Sequence, residues 1–446
     1  HTRYWRDWSS DVCSSDLTIG YSESSMGDHS TIRIDRDALE SNLRAIAAHC
    51  GGGPERICAV VKADAYGLGA PRIAHAMEEF GIDGFAAYGP AEAIDVANAT
   101  RSAWVLVLMP VDELGRDPRS VGLLGEGRLH HTAHDLDQVR SLERDAAALG
   151  IVLPLHLELD TGMGRGGCDP VEARAIVEHV AASPRLRLAG VMTHFPDAVE
   201  DPISAGQRGR VLREFLEEVG PLVPDDVIRH AAATASLEVG STHLDRVRVG
   251  IGWIGLGSRA LAGRPDPVPL SPIVSWSSSV IRTRRIPAGR TIGYGCHART
   301  TRETMTGIVP VGYGDGLPTA IEGESHLAVV HAEQASFVVP VLGRMNMDQC
   351  VLDLTDVPRA SSGLSVELVS ADADSAVSLE RVAARAGVSP YQLLCGMAPR
   401  SPRLLVAGGS FAASRLPELD ASAAAAPAGQ YEPASHALHA VVPTSS

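Results

Sequence analysis

Short apolar runs and longer amphipathic stretches alternate through the middle of the chain. Eight runs have the β-type character of buried strands: Ile57–Lys62, Gly84–Gly89, Trp104–Met109, Leu129–His134, Pro154–Asp160, Leu188–Phe195, Val227–Thr234 and Val247–Trp253. Between them, apolar positions recur at helical period, predicting connectors such as Ala70–Phe80, Pro170–Ala182 and Gly206–Val219. Eight strand–helix units predict a closed parallel (β/α)8 barrel of the TIM type. A doubly wound open sheet gives a similar alternation.

The pattern changes after Arg264. RPDPVPLSP has the composition of a linker, and β-rich runs broken by Gly and Pro follow it. These are Ile273–Ile281, Met305–Gly312, His326–Val330, Ser336–Leu342 and Gln349–Leu354. They predict a mostly-β domain over 270–408, after a barrel domain over 30–265. Ser30–Ile34 (STIRI) reads as a strand ahead of the helix Arg36–His49. With the barrel's count complete, residues 30–40 are free to pair with the second domain. Residues 1–25 lack an initial methionine and the apolar core of a signal peptide. They resemble translated sequencing adapter, so a non-native or disordered leader is expected, with Met26 the true start. Residues 410–446, rich in Ala, Ser and Pro, are expected to be a disordered tail.

Composition narrows the function. Of 446 residues, 45% are hydrophobic and the net charge is −15, which disfavours nucleic acid and anionic membranes as partners. The longest apolar stretch, Ala103–Val111, is about half of a bilayer span, so no transmembrane helix is expected. Seven cysteines form no CxxC pair, and 17 histidines form no HExxH array. Reduced thiols, a cytoplasmic setting and no metal site are the expectation.

In such a barrel, chemistry sits at the carboxyl ends of the strands. Those ends carry Lys62, Arg165, His194, Thr234 and Arg248. Each alone fits a bland role: a strand-end lysine reaching solvent, a loop residue, a satisfied core histidine. Together they put an amine nucleophile, two guanidinium groups, an imidazole and a hydroxyl on one rim. The Gly250-Ile251-Gly252 backbone offers amides to a phosphate. An imine-forming lysine beside a phosphate cradle points to pyridoxal phosphate.

Residues 30–408 resemble the alanine racemases, pyridoxal-phosphate enzymes built of a barrel and a β domain. The resemblance runs in order through VVKADAYGLG, ELDTGMGRGG, MTHF, RVRVGIG, IGYGCH, VPVGYGDGL, GRMNMDQ and YQLLCGMAPRSPR. It implies that Lys62 holds the cofactor as a Schiff base. Tyr66, Thr234, Gly250 and Ile251 would bind its phosphate, His194 would pack beside the ring, and Arg248 would face the ring nitrogen. Lys62 and Tyr294 would be the two opposed bases, Tyr294 coming from the partner in a head-to-tail homodimer. A tyrosine hydroxyl ordinarily titrates near about 10, so that role calls for cationic or hydrogen-bonding neighbours. Arg165 and Met347 would meet the substrate carboxylate, with Glu158, Tyr313 and Asp348 in support. The implied product is D-alanine for peptidoglycan.

Several positions depart from the family pattern. Glu158 stands where many members carry a carbamylated lysine, and it is expected to orient Arg165 without modification. Ala233 stands for Asn, Thr234 for Ser, Asn346 for Cys and Pro399 for Tyr in some members. Thr319 lies near a common arginine. These changes leave a serine or broad-specificity racemase, or a non-catalytic cofactor-binding homologue, as rival readings. A barrel-type decarboxylase is a more distant rival, because that chemistry needs no second base.

Overall fold

The computed structural model describes residues 29–257, 268–322 and 328–408. The expected leader 1–25, the tail 410–446, the first half of the linker and His326 lie outside the described residues.

Strand β1 (Ser30–Asp35) runs into the helix Arg36–His49, where the Asp35 carboxylate accepts the Asp37 and Ala38 amides. Eight parallel strands then close into a barrel. They are β2 (Ile57–Val60), β3 (Gly84–Ala87), β4 (Trp104–Val107), β5 (Leu129–Ala133), β6 (Leu153–Glu158), β7 (Leu186–Met192), β8 (Ile228–Ala233) and β9 (Arg246–Val249). The β2–β9 pairing closes the ring, with Cys58 opposite Arg248. The expected barrel is therefore present, and the open sheet is excluded. Helix starts after β4, β5, β6 and β7 are capped by Asp117, Asp135, Asp169 and Asp201.

Alternate residues of each strand face helices or interior. Ile57, Ala59 and Val61 join the main apolar core, whereas Cys58, Ala86, Leu106 and Met192 form a small cluster of their own. Much of the remaining interior is polar. His130, His156 and His230 are fully or almost fully buried there, where barrels of this kind usually stack aliphatic side chains.

The last third of the chain is mostly β. Its strands are β10 (Val274–Ser279), β11 (Arg282–Ile286), β12 (Thr291–Ile292), β13 (Ala298–Arg299), β14 (Thr304–Val309), β15 (Ala328–Ala332), β16 (Ala335–Val339), β17 (Cys350–Asp353), β18 (Ser365–Val369) and β19 (Arg403–Val406). One sheet has the order β16-β15-β18-β10-β1-β19, and a second the order β11-β14-β17. Strand β1 pairs antiparallel with β10 and parallel with β19, so the start of the chain belongs to the sheet built by its end. The short helix Pro390–Gly396 packs on the turn that follows β2, with the Tyr391 and Tyr66 rings 5.9 Å apart.

Candidate active site

Lys62 lies two residues beyond β2, at the head of the turn Lys62–Gly67. Ala63, Asp64, Ala65 and Tyr66 all have φ between 53° and 59°. Four successive non-glycine residues in the left-handed region are costly, at roughly 1–2 kcal/mol each. Neighbouring groups hold the turn in place. The Asp64 carboxylate accepts the Ala70 amide at 2.7 Å, and the Ala65 amide donates to the Val61 carbonyl at 2.8 Å. Tyr66 is buried against Trp253, whose indole N–H donates to the Val60 carbonyl. Burial and the Arg165 charge push the Lys62 ammonium below its ordinary value, with Cys395 and Glu92 acting against them.

The phosphate-binding residues expected from sequence converge at the ends of β8 and β9. The Gly252 amide donates to the Thr234 hydroxyl at 3.2 Å. A Cβ at Gly250 would overlap the Tyr66 hydroxyl, so only glycine permits that approach. Ile251 follows, fully buried, at the start of a short 3-10 helix. Tyr66, Thr234 and the Gly250–Gly252 backbone thus form a cradle of hydroxyls and amides that fits a phosphate.

Arg248 is buried below that cradle, and among the described residues no carboxylate lies at ion-pair distance from it. Its guanidinium instead donates to the carbonyls of His230 (2.8 Å), Thr193 (2.6 Å) and Ala231 (3.2 Å), and to Nδ1 of His194 at 3.3 Å. It also donates to His230 Nδ1 at 3.1 Å. Beneath it, His230 Nε2 meets His156 Nδ1 at 2.8 Å, and His156 Nε2 meets His130 Nδ1 at 2.9 Å. His130 Nε2 ends the file on the Gly127 carbonyl at 3.1 Å. Trp104 stacks on His130 with ring centres 5.0 Å apart, and Arg246 covers Trp104 from outside while pairing with Asp83. The barrel axis is therefore a column of aromatic rings with an arginine at each end. Burial pushes His130 down to about 3 and His131 to about 4, and pushes His156 and His230 well down. Burial, then the charge of Arg248, pushes His194 down to about 3.

Arg165 is exposed on the loop after β6. Glu158 Oε2 lies 3.4 Å from His134 Nδ1, and no ion pair joins Glu158 to Arg165. His134 Nδ1 also accepts the Gly167 amide at 2.9 Å. The Glu158 carbonyl accepts the Cys168 amide at 3.0 Å, so the Glu158 backbone and His134 together hold the Gly167–Cys168 backbone just after Arg165. The orienting role expected of Glu158 toward Arg165 would act through charge and the intervening loop, without an ion pair between the two.

The remaining expected residues lie on the β domain. Tyr294, Met347 and Tyr313 are 69%, 53% and 46% exposed, unusual values for large apolar side chains. Among the described residues, Tyr294 makes no hydrogen bond to the rim that carries Lys62. Arg400 clamps the two turns bearing Tyr313 and Met347. It binds both oxygens of buried Asp315, at 2.5 and 2.8 Å, together with Asp348 at 2.8 Å and the Met347 carbonyl at 3.1 Å.

Sequence reasoning missed the histidine column, His134 and Arg400. The column had a signal, since His130, His156 and His230 each sit inside an apolar strand run. Separated in the chain by 26 and 74 residues, they become neighbours only once the barrel closes.

Comparison with known proteins gives the same reading for both parts of the chain. Residues 34–258 match the family model "Alanine racemase, N-terminal domain", and 273–405 match "Alanine racemase, C-terminal domain". An alanine racemase of Halothermothrix orenii is 31% identical over 374 residues, covering 83% of this chain and 95% of the relative. The crystal structure of alanine racemase from D-cycloserine-producing Streptomyces lavendulae superposes with a TM-score of 0.73 at 26% identity, covering 86% of this chain and 98% of that one. The Bartonella henselae enzyme, described with covalently bound pyridoxal phosphate, shares the fold at 22% identity and a TM-score of 0.70, covering 84% and 99%. The chain belongs to the alanine racemase family.

Proposed function

We infer that this chain interconverts L- and D-alanine with pyridoxal 5'-phosphate as cofactor. The observation that carries the reading is Lys62 on its held turn, beside the hydroxyl and amide cradle and above buried Arg248. When bound there, the cofactor withdraws electrons from the substrate Cα and so acidifies its hydrogen. Lys62 would anchor the cofactor, and its amine, when free, would move the proton on one face of Cα. Racemisation needs a second acid/base group on the opposite face, because one base cannot readily serve both.

Tyr294 of a second copy fits that role in a head-to-tail homodimer. Support comes from the exposure of Tyr294, Tyr313 and Met347, large side chains of a kind that a partner surface would cover. Arg165 and Met347 receive the substrate carboxylate, with Tyr313 and Asp348 in support. His194 packs beside the cofactor. Arg248 donates a hydrogen bond but holds its own proton, since arginine does not deprotonate in proteins. Facing the cofactor, it would leave electron withdrawal modest and so favour prompt return of the proton to Cα over transamination. Among the described residues no helix is long and apolar enough to cross a membrane. A cytoplasmic enzyme making D-alanine for the cell wall is the setting that goes with this chemistry.

The test is to incubate purified protein with single-enantiomer alanine, serine and other amino acids and follow loss of optical activity. Alanine is expected to racemise fastest. Faster racemisation of serine would transfer the assignment to the rival substrate, and no racemisation of any amino acid would overturn it.

A further inference from the structure

We propose that Glu92 is a positioning residue for Lys62, strapping the backbone that follows Lys62 to the neighbouring strand–helix loop. One Glu92 carboxylate oxygen accepts the Ala63 amide at 2.9 Å, and the other accepts the Tyr88 amide at 3.1 Å. Ala63 directly follows Lys62 and is the first of the four left-handed residues. The other holds on that turn act further along, at Ala65, Asp64 and Tyr66. Glu92 therefore fixes the turn at the point closest to Lys62, and it does so from a different element.

The strap is itself well supported. Glu92 occupies the third position of the helix Pro90–Ala99, whose N-cap, Gly89, supplies no side chain. A carboxylate is favoured there by the helix dipole and the free amides of the first turn. Anchored to that helix, its two oxygens span from β3's loop to β2's loop across the barrel rim. An ordinary first-turn glutamate would serve only its own helix. Glu92 gives one oxygen to its own loop and the other to the backbone beside Lys62. A charge-assisted bond to an exposed amide has no replacement once the carboxylate is gone, except water. The turn would then sample other arrangements, and the Lys62 amine would spend less time where the cofactor and Cα need it.

The proposal rests on the reading of Lys62 as cofactor anchor, and its test separates the two. Glu92→Ala, Glu92→Gln and Glu172→Ala are compared with the unaltered protein. Glu172 is a suitable control because it holds the same third position in the helix Pro170–Ala182 and accepts the Leu136 amide at 3.2 Å. Hydrogen exchange is read peptide by peptide on the cofactor-free protein, followed by pyridoxal phosphate affinity and then kcat and KM for alanine. Glu92→Ala is expected to speed exchange over 62–67 and to weaken cofactor affinity by about tenfold, the size of one lost hydrogen bond to a charged group. kcat should fall by a similar factor while KM stays within about twofold. Glu92→Gln keeps one acceptor oxygen and should restore most of the protection at 62–67, while Glu172→Ala should leave that segment and the cofactor affinity unchanged.

Exchange over 62–67 that stays the same in Glu92→Ala would overturn the proposal. So would faster exchange spread evenly over the barrel in both Glu92 variants, because that is the mark of a merely structural residue. If the unaltered protein takes up no pyridoxal phosphate, the functional reading fails, and the exchange comparison still decides the strap.

Discussion

Arg248 Nη1 lies 3.1 Å from His230 Nδ1, and because arginine only donates, the contact dictates the state of every imidazole below it. His230 must accept at Nδ1 and carry its proton on Nε2. It then donates to His156, which donates to His130, which donates to the Gly127 carbonyl. The far end demands the same direction, since a carbonyl only accepts. All three rings are held neutral as the Nε2–H tautomer, and a proton added to any of them would set two donors face to face.

This makes stability depend on pH with a definite sign. The folded-state values of His130, His131, His156 and His230 lie below that of an unfolded imidazole, near about 6.5. Below that pH the unfolded chain takes up protons that the folded chain refuses, so stability is lost as pH falls. Each such histidine contributes a slope approaching about 1.4 kcal/mol per pH unit until its folded-state value is reached. Melting temperature should be level from pH 7 to 8 and drop steeply below pH 6. A level profile down to pH 5 would show that the folded column takes up protons as readily as the unfolded chain and would remove the claim.

Lys62→Ala should abolish racemisation together with covalent retention of the cofactor, read by absorbance after desalting. Tyr294→Phe should lower turnover by roughly 10²–10⁴-fold. The isotope exchange at Cα should fall unequally for the two enantiomers, because each base serves one face. Equal loss for L- and D-alanine would remove the two-base mechanism.

Glu158→Gln keeps the shape of the side chain and removes its charge. With the Glu158 charge beside the Arg165 loop, the expected effect is on substrate affinity. KM for alanine should rise by about three- to thirtyfold, within the range for a hydrogen bond to a charged group, with kcat less affected. Unchanged kinetics would leave Glu158 without a role at the site.

Arg400→Ala removes the clamp between the turns of Tyr313 and Met347 and leaves Asp315 buried without its cation. Losing one partner of such a pair costs more than an exposed ion pair would suggest. The proposed homodimer should dissociate at higher protein concentration by analytical ultracentrifugation, with KM raised. Arg400→Lys should restore only part of this, since lysine lacks the planar fork that grips both oxygens.

The barrel was legible because its eight apolar runs are short and β-rich and are separated by stretches of helical period. Pro170–Ala182 and Arg36–His49 were readable to the residue, each opened by an aspartate cap. Strand β11 was not, because RTRRI contains a single apolar residue and shows no inward face. The rim residues were readable as candidate chemistry at strand ends, and the family motifs suggest the roles proposed for them. The partners that hold them were hidden. Glu92 stands 29 positions from Ala63, and Glu158 meets His134 across a neighbouring strand end. No local pattern announces such pairs; only the closed ring brings them together.

Arg246 and Arg248 both leave β9 toward the column, one covering Trp104 and the other bonded to His230. A strand's faces alternate, so a shift of β9 by one residue would turn both charges into the apolar layer beneath the helices. Aliphatic barrels tolerate such slips more easily, because one leucine replaces another. Here the last strand to join carries its own alignment key, and a mispaired ring would have to strand two cations without acceptors.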